Sequence, residues 1–549
     1  MLWRIIAKIL AFFFLGLTGA LLIPFLIALY YQFFSDAAAH PQPHTTLAFL
    51  ESMVISAIIG SGLYIAGRHT RGELYRREGI ALVVIIWLIT PAVAALPFYL
   101  SGTLQNPLQA YFEAVSGFST TGATTMYPKK FNPETGQEVP IVRTIPGIHE
   151  KEYVFFGTID PVRNAQTGAI EKEGIEAVSK ALLFWRSMTQ WLGGMGIIVL
   201  FVAVLPALGV GGKVLFHAEM PGPIKDSLTP RIKETATHLW KIYLGMSILE
   251  IAGLMLTNSR IDLYEAMTIT FSTVSTGGFS IFNDSIGNFS DPTTDWIVIA
   301  FMFLGSVNFS LYFFLIMGKI YRLYDTELII YIILLLLGCG FTAWYISGTE
   351  KLLLTGQTGI FTPHEAIRFA TFQIVSAQTT TGFATVNYDI WPYAAQVIML
   401  IVMYLGGMAG STAGGIKIMR HFMLFRVAQY QVESIFRPET VRSFRLGQSE
   451  IDATAAIRVL SYFLIVVACA AIGTLLYTCD GIDPESAISL SSLMINNIGI
   501  GFRMAGPTES CAFLSNFGLC LSCFLMVLGR LEFFAVLAVL VPAFWKRHS

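Results

Sequence analysis

The feature that most constrains this 549-residue chain is a series of apolar stretches, each long enough to cross a bilayer. A spanning helix needs about 20 predominantly apolar residues, and such stretches fall at 9–33, 48–67, 79–100, 182–210, 236–257, 296–318, 327–346, 393–428, 455–478 and 512–544. The 54% hydrophobic, 13% charged composition and mean hydropathy of +0.63 agree with a polytopic, all-α membrane protein rather than a soluble domain. Arg4 and Lys8 ahead of the first apolar run resemble a signal peptide. No clear small-residue cleavage site follows and the run is too long, so a retained span is expected.

Charge orients these spans. With both termini in the cytoplasm, the short inner loops hold Arg4 and Lys8; Arg68, Arg71, Arg76 and Arg77; Lys213, Lys225, Arg231 and Lys233; Lys319 and Arg322; Lys417, Arg420 and Arg426 to Arg445; and Lys546 with Arg547. The short outer loops carry few basic residues, among them Arg260, Lys351 and Arg503, as the positive-inside rule requires. One long outer segment, 126–180, is polar and of mixed charge. The net charge of −1 gives no reason to expect nucleic acid. Six cysteines scattered through mostly apolar surroundings form no disulfide framework or zinc pattern, although Cys479 and Cys511 fall on one side and leave a bridge open.

Between certain spans lies a weaker apolar stretch, too short to cross, that ends in small hydroxylated residues and glycine. There are four: YFEAVSGFSTTGAT with Gly122, YEAMTITFSTVSTGGFS with Gly278, FATFQIVSAQTTTGFAT with Gly382, and LSSLMINNIGIGF with Gly499. Internal repetition decides the architecture. Four helix, pore-loop, helix units are expected around a central pore, at 79–212 (with the insertion 126–180), 235–322, 326–428 and 454–545, beside an N-terminal two-helix hairpin, 1–70.

Non-helical backbone inside a membrane must line protein or water, because an unpaired amide or carbonyl in lipid costs several kcal/mol. Glycine lets successive carbonyls turn toward a shared cavity, where they can replace the hydration shell of a monovalent cation. The short helix before each loop aims its partially negative C-terminal end the same way. No ring of carboxylates occupies the loops, which argues against a divalent-cation filter. One Thr-Gly pair alone reads as small-residue helix packing; four in corresponding places read as a filter. Its expected residues are Thr120, Thr121 and Gly122; Thr276, Gly277 and Gly278; Thr380, Thr381 and Gly382; Ile498 and Gly499. Gly278 is chosen over Gly277 because it precedes Phe279 as Gly382 precedes Phe383.

Two features read as a gate. The stretch GGMAGSTAGGIK (406–417) interrupts the eighth span, and so many interior glycines make a continuous helix improbable. A mobile loop beneath the filter is expected from Gly406, Gly407, Gly410, Ser411, Thr412, Gly414 and Gly415; a close helix crossing is the plainer alternative. Arg530, near the middle of the last span, is expected to face a polar interior, either the pore or an ion pair with another span. Glu532, two positions on, points to a different side of the helix.

In these residues the chain resembles the Trk/Ktr/HKT superfamily of potassium transporters, and within it the bacterial TrkH subunits. The likeness spans nearly the whole chain and is carried by STTGAT, WLGGMGIIVL (191–200), STGGFS, QTTTGFAT, GGMAGSTAGGIK and GRLEFF. It implies potassium uptake across the inner membrane, with potassium bound at Thr121, Gly122, Gly278, Thr381, Gly382 and Gly499, no other cofactor, a homodimer with a pore in each subunit, and a cytoplasmic nucleotide-binding regulatory subunit of the TrkA type. The basic stretches Lys213–Lys233 and Lys417–Arg445 are its candidate docking surfaces. The insertion is longer than the family leads one to expect. Two rivals stay open: a potassium-binding subunit of an ATP-driven pump, and a symporter with sodium or protons, for which no compelling membrane-depth carboxylate stands out. No arrangement of nucleophile and base points to an enzyme.

Overall fold

The computed structural model describes residues 3–35, 40–42, 44–70, 75–145, 150–164, 166–196, 232–436, 444–446, 449–451 and 453–546. The chain opens with α1 (Trp3–Phe34) and α2 (Thr45–Gly67). These run antiparallel. A Cβ at Gly67 would come within 2.7 Å of the Arg4 carbonyl, one at Gly60 within 3.2 Å of the Ala11 carbonyl, and Ser56 Oγ donates to the Phe14 carbonyl at 2.9 Å. Small residues on α2 thus permit the close approach.

Four sets of helices follow. The first is α3 (Arg76–Ala94), α4 (Leu96–Leu100), α5 (Pro107–Phe118) and α6 (Lys180–Gly194). The second is α7 (Ile232–Thr257), α8 (Leu263–Val274), α9 (Pro292–Ser306) and α10 (Phe309–Ile316). The third is α11 (Thr326–Ile346), α12 (Pro363–Gln378), α13 (Tyr393–Tyr404) and α14 (Ile418–Phe436). The last is α15 (Ala453–Cys479), α16 (Pro484–Asn496), α17 (Asn516–Arg530) and α18 (Phe534–Leu540).

In each set one short helix, α5, α8, α12 or α16, packs on the helices before and after it. At 12 to 16 residues and a rise of about 1.5 Å per residue, these reach only part-way across a bilayer. Each starts at a polar N-cap: Asn106, Asp262, Thr362 and Asp483 accept backbone N–H groups of their first turns. Proline holds the first helical position in three of them, where its missing N–H costs nothing. The C-terminal halves are buried, including every residue of Phe112–Phe118, Phe372–Gln378 and Ser489–Asn496. The following helix of each set touches the short helix of the next: α6 meets α8, α9 meets α12, α13 meets α16, and α17 returns to α5. These contacts close into a ring.

Ten uninterrupted spans are not what forms. Among the described residues six helices are long and apolar enough to cross, or up to eight if each bent pair counts as one. The 296–318 stretch breaks between α9 and α10 with a 95° bend, because Asn308 turns its side chain onto Ser310 N and caps a new helix. The 512–544 stretch breaks between α17 and α18 with a 120° bend, where Glu532 and Phe533 take left-handed φ of 54° and 63°. The 393–428 stretch divides into α13 and α14. Of 182–210, residues 197–210 lie outside the described residues, as does most of Lys213–Lys233.

The expectation of an all-α chain also needs amendment. The 126–180 insertion folds into β-hairpins, chiefly Ile141–Ile145 against Lys151–Phe155, and smaller hairpins occur at 350–360 and 444–451. It is fastened to two inter-helix loops: Tyr153 OH donates to Asp483 Oδ1 at 2.5 Å, and Asn283 Oδ1 accepts Ile175 N at 2.8 Å. All six cysteines are free thiols, so the Cys479–Cys511 bridge does not form.

Candidate functional site: four glycine loops over a clamped loop

Each short helix runs into its glycine loop through the same hydrogen-bond pattern. Thr121 N bonds to Ser116 O, Gly277 N to Ser272 O, Thr381 N to Ser376 O and Ile498 N to Leu493 O, all at 2.8–2.9 Å. One residue earlier the chain turns left-handed, at Thr120 (φ 54°), Thr276 (53°), Thr380 (59°) and Asn497 (54°). Non-glycine residues rarely adopt this region, so four occurrences at matching positions mark one shared loop geometry. Two residues on, Gly122, Gly278 and Gly382 have φ of 85°, 78° and 84°. It is Gly278, not Gly277, that occupies this position. Gly499 departs from the other three in having no such φ.

The loops meet backbone to backbone. A Cβ on Gly122 would overlap the Gly277 carbonyl, one on Gly278 the Thr381 carbonyl, one on Gly382 would lie 2.6 Å from Gly499 N, and one on Gly499 2.8 Å from the Gly122 carbonyl carbon. Side chains are excluded from all four contacts. The loops are braced from behind: Ser116 Oγ donates to Ala123 O at 2.6 Å and Ser376 Oγ to Phe383 O at 2.7 Å. In the second set Gln190 of α6 takes over, donating to Gly277 O at 2.7 Å and accepting Phe279 N at 3.0 Å. Asn497 donates to Thr121 Oγ1 at 3.0 Å and to Met526 O at 2.9 Å. Neither Gln190 nor Asn497 was anticipated, although a glutamine inside an apolar helix is a visible signal.

On one side of the four loops, a cavity of ≈ 340 Å³ opens directly onto Gly122, Gly278, Gly382 and Gly499. Glu173 and Asp284 line its wall, as does Glu509, which pairs with Arg143 Nε at 2.9 Å. Burial raises the Glu509 carboxyl, and Arg143 beside it pulls it back. Arg503 bonds Glu485 Oε2 through Nε at 2.7 Å, while its backbone N–H donates to Asp389. Burial pushes Asp389 up to about 6. Arg503 is thus a paired structural cation.

Beneath the loops, residues 405–417 leave helix and close on themselves, with Gly406 N bonded to Ile416 O at 3.1 Å. Gly410 and Gly415 are left-handed. This loop touches the underside of three glycine loops: Gly414 N donates to Thr380 Oγ1 at 2.6 Å, Thr412 Oγ1 lies 3.4 Å from Thr276 Oγ1, and Gly414 abuts Asn496 O. Arg530 ends α17 rather than sitting mid-span, since the break follows it. Its guanidinium donates to Thr120 Oγ1 and Thr412 O at 3.0 Å and to Gly193 O and Gly194 O at 2.6 and 2.9 Å. The predicted filter threonines Thr276 and Thr380 therefore face the loop below, while Thr120 faces Arg530. A small cavity of ≈ 70 Å³ lies here, lined by Gly410, Ser411, Gly415, Lys417 and Arg530.

The nearby basic residues are not surface groups. Lys417 is 2% and Arg420 6% exposed; Lys417 Nζ bonds the Ala413 carbonyl, and Arg420 pairs with Glu532 at 2.5 Å. They cannot serve in the docking surface expected from Lys417 onward.

Comparison with known proteins agrees with this architecture. The family model described as TrkH, cation transport protein, matches residues 163–547. The Trk system potassium uptake protein TrkH of Escherichia coli K12 is 32% identical, with 99% of each chain covered; TrkG of the same strain is 28% identical over 96% of this chain and 95% of its own. The crystal structure of the potassium transporter TrkH from Vibrio parahaemolyticus superimposes with a TM-score of 0.77 at 27% identity, covering both chains completely. The chain is a helical membrane transporter and belongs to the TrkH family of cation transport proteins.

Proposed function

We propose that this protein takes up potassium through a gated, channel-like pathway in which the four glycine loops form a backbone-carbonyl selectivity filter. The observation that carries the reading is the edge-to-edge meeting of four loops of matching hydrogen-bond geometry beneath a cavity whose wall carries Glu173, Asp284, Glu509 and Arg186. Thr121, Gly122, Gly278, Thr381, Gly382 and Gly499 would supply oxygens to the ion, with Gly277 and Ile498 completing the loops. Carbonyls held at fixed spacing replace water around a cation of one size, and the C-terminal ends of α5, α8, α12 and α16 bias the centre toward positive charge. The repeat units are those at 79–212, 235–322, 326–428 and 454–545, beside the hairpin 1–70.

The loop from Gly406 to Gly415 is the gate, held closed beneath the filter by Arg530. The names of the relatives speak of a Trk system, which supports a multi-component assembly: a homodimer in the inner membrane, both termini cytoplasmic, controlled by a nucleotide-binding subunit of the TrkA type. Purified protein in liposomes without ATP is expected to pass potassium and rubidium in preference to sodium and lithium, with flux increased by shortening the 406–415 loop. Equal flux of all four ions would refute the filter; strict dependence on ATP would favour a pump subunit.

One observation favours a second reading, potassium–proton symport. Glu250 of α7 is fully buried beside Thr273 of α8, and a carboxylate at such depth is a candidate proton carrier. Glu250 lies within the 236–257 stretch, where no carboxylate stood out from the sequence. Rubidium uptake that responds to an imposed pH gradient, and loses that response in Glu250→Gln, would support symport; gradient-insensitive uptake would eliminate it.

A further inference from the structure

The loop at 405–417 is held at a second place, away from Arg530 and the filter threonines. Three consecutive residues, Met408, Ala409 and Gly410, are pinned to one corner formed by the α9–α10 break and the start of α11. Met408 N donates to Ser306 O at 3.0 Å, and Gly410 O accepts Phe309 N at 3.1 Å. Ala409 N donates to Glu327 Oε1 at 2.8 Å. The break explains why this corner can receive a loop: it frees the Gly305 and Ser306 carbonyls from helical pairing, and Gly305 O takes Thr412 N at 3.2 Å.

Glu327 is the ionisable member of this corner. It is 4% exposed and sits in the first turn of α11. The Met419 backbone, in the first turn of α14, faces the same carboxylate, and Lys417 is its nearby cation. One carboxylate therefore addresses both the body of the loop and the helix that leaves it, and a charged acceptor makes the stronger kind of hydrogen bond to a backbone N–H. One helical turn further along α11, Tyr331 OH meets Ser306 Oγ at 2.6 Å, so the same face of α11 supports the carbonyl that holds Met408.

We propose that Glu327 is a positioning residue that latches the 408–410 segment in the closed conformation, and that release of this latch is a separate step from release of Arg530. The inference rests on the reading of 406–415 as a gate. Only nine residues, 317–325, join α10 to α11, so a displacement of that short connection moves both halves of the latch, the α10 N-terminus and the Glu327 carboxylate.

The test is rubidium uptake into liposomes by the purified full-length protein, with wild type, Glu327→Ala, Glu327→Gln and Ala409→Pro compared at equal incorporation and after gel-filtration monodispersity has been checked. Glu327→Ala and Ala409→Pro should each raise basal flux, by up to about tenfold, the equilibrium factor one charge-assisted hydrogen bond can supply. The double variant should rise no further. Glu327→Gln, which keeps an oxygen acceptor but loses its charge, should rise by only about threefold, and the rubidium-to-sodium ratio should not change in any of them. Unchanged or reduced flux in monodisperse Glu327→Ala, additive effects in the double variant, or lost ion discrimination would overturn the latch. Ala409→Pro decides the matter by itself if Glu327→Ala is not recovered. If shortening the 406–415 loop also leaves flux unchanged, the gate reading fails; if shortening raises flux while the Glu327 and Ala409 variants do not, only the latch fails.

Discussion

The glycine loops and the 405–417 loop below them are both irregular backbone at membrane depth, yet they are held in opposite ways. Each glycine loop bonds its backbone to its own short helix, as Thr121 N does to Ser116 O, and two add a seven-residue side-chain reach, Ser116 to Ala123 and Ser376 to Phe383. The lower loop is held by groups distant in sequence: Thr380 at 34 residues, Glu327 at 82 and Arg530 at 118. Local bonds fix a shape that moves with its helix. Long-range bonds break when helices shift against each other, which suits a part that must move. On the function proposed above, the contrast would let one fold keep ion selection rigid while leaving permeation adjustable.

The most damaging change should be on the filter side. Gly382→Ser places a Cβ 2.6 Å from Gly499 N at a φ of 84°, and the distorted carbonyl spacing should cut potassium-over-sodium preference by about tenfold or more. Reversal potentials in bilayers measure it. Next is the gate side: Arg530→Ala removes four hydrogen bonds and should raise basal flux several-fold without altering selectivity, as read by isotope uptake. A change in selectivity instead would blur the division between the two regions.

A smaller effect tests whether the loops are braced locally. Ser116→Ala and Ser376→Ala should lower potassium-over-sodium preference by about two- to fivefold, one lost buried hydrogen bond each. Ser272→Ala should do little, because the Ser272 hydroxyl makes no hydrogen bond among the described residues and Gln190 braces that loop instead. The smallest effect lies at Asp389, which accepts the Arg503 backbone N–H. Because burial raises the folded-state pKa of Asp389 to about 6, the folded protein holds a proton there that the unfolded chain releases near its usual value. Stability from this group is therefore greatest below that usual value and is lost as pH rises through about 6. The melting temperature of wild type relative to Asp389→Asn should rise as pH falls from 7 to 5, in detergent, with little change in flux.

The outline of the molecule was legible because apolar length and Thr-Gly segments are strong local signals. The breaks at 307–308 and 531–533 were hidden: apolar composition runs through both, and only the side-chain cap of Asn308 and the left-handed Glu532 and Phe533 interrupt the helices. That is why Arg530 read as mid-span. Asn497 escaped notice because its loop lacks the Thr-Gly signature, and its left-handed backbone shows only in three dimensions. The presence of Gln190 inside an apolar helix was visible, but the roles of Glu327 and Gln190 were not, for a different reason. Their partners lie 82 and 87 residues away, and nothing local distinguishes a carboxylate that caps its own helix from one that holds a remote loop.

The central claim is that four meeting backbone loops select the ion, and it is tested most directly by bi-ionic reversal potentials of the purified protein and of Gly382→Ser in planar bilayers. The account predicts strong preference for potassium over sodium in the wild type and its collapse in the variant while current persists. A wild type without preference, or a variant that conducts with undiminished preference, would contradict it.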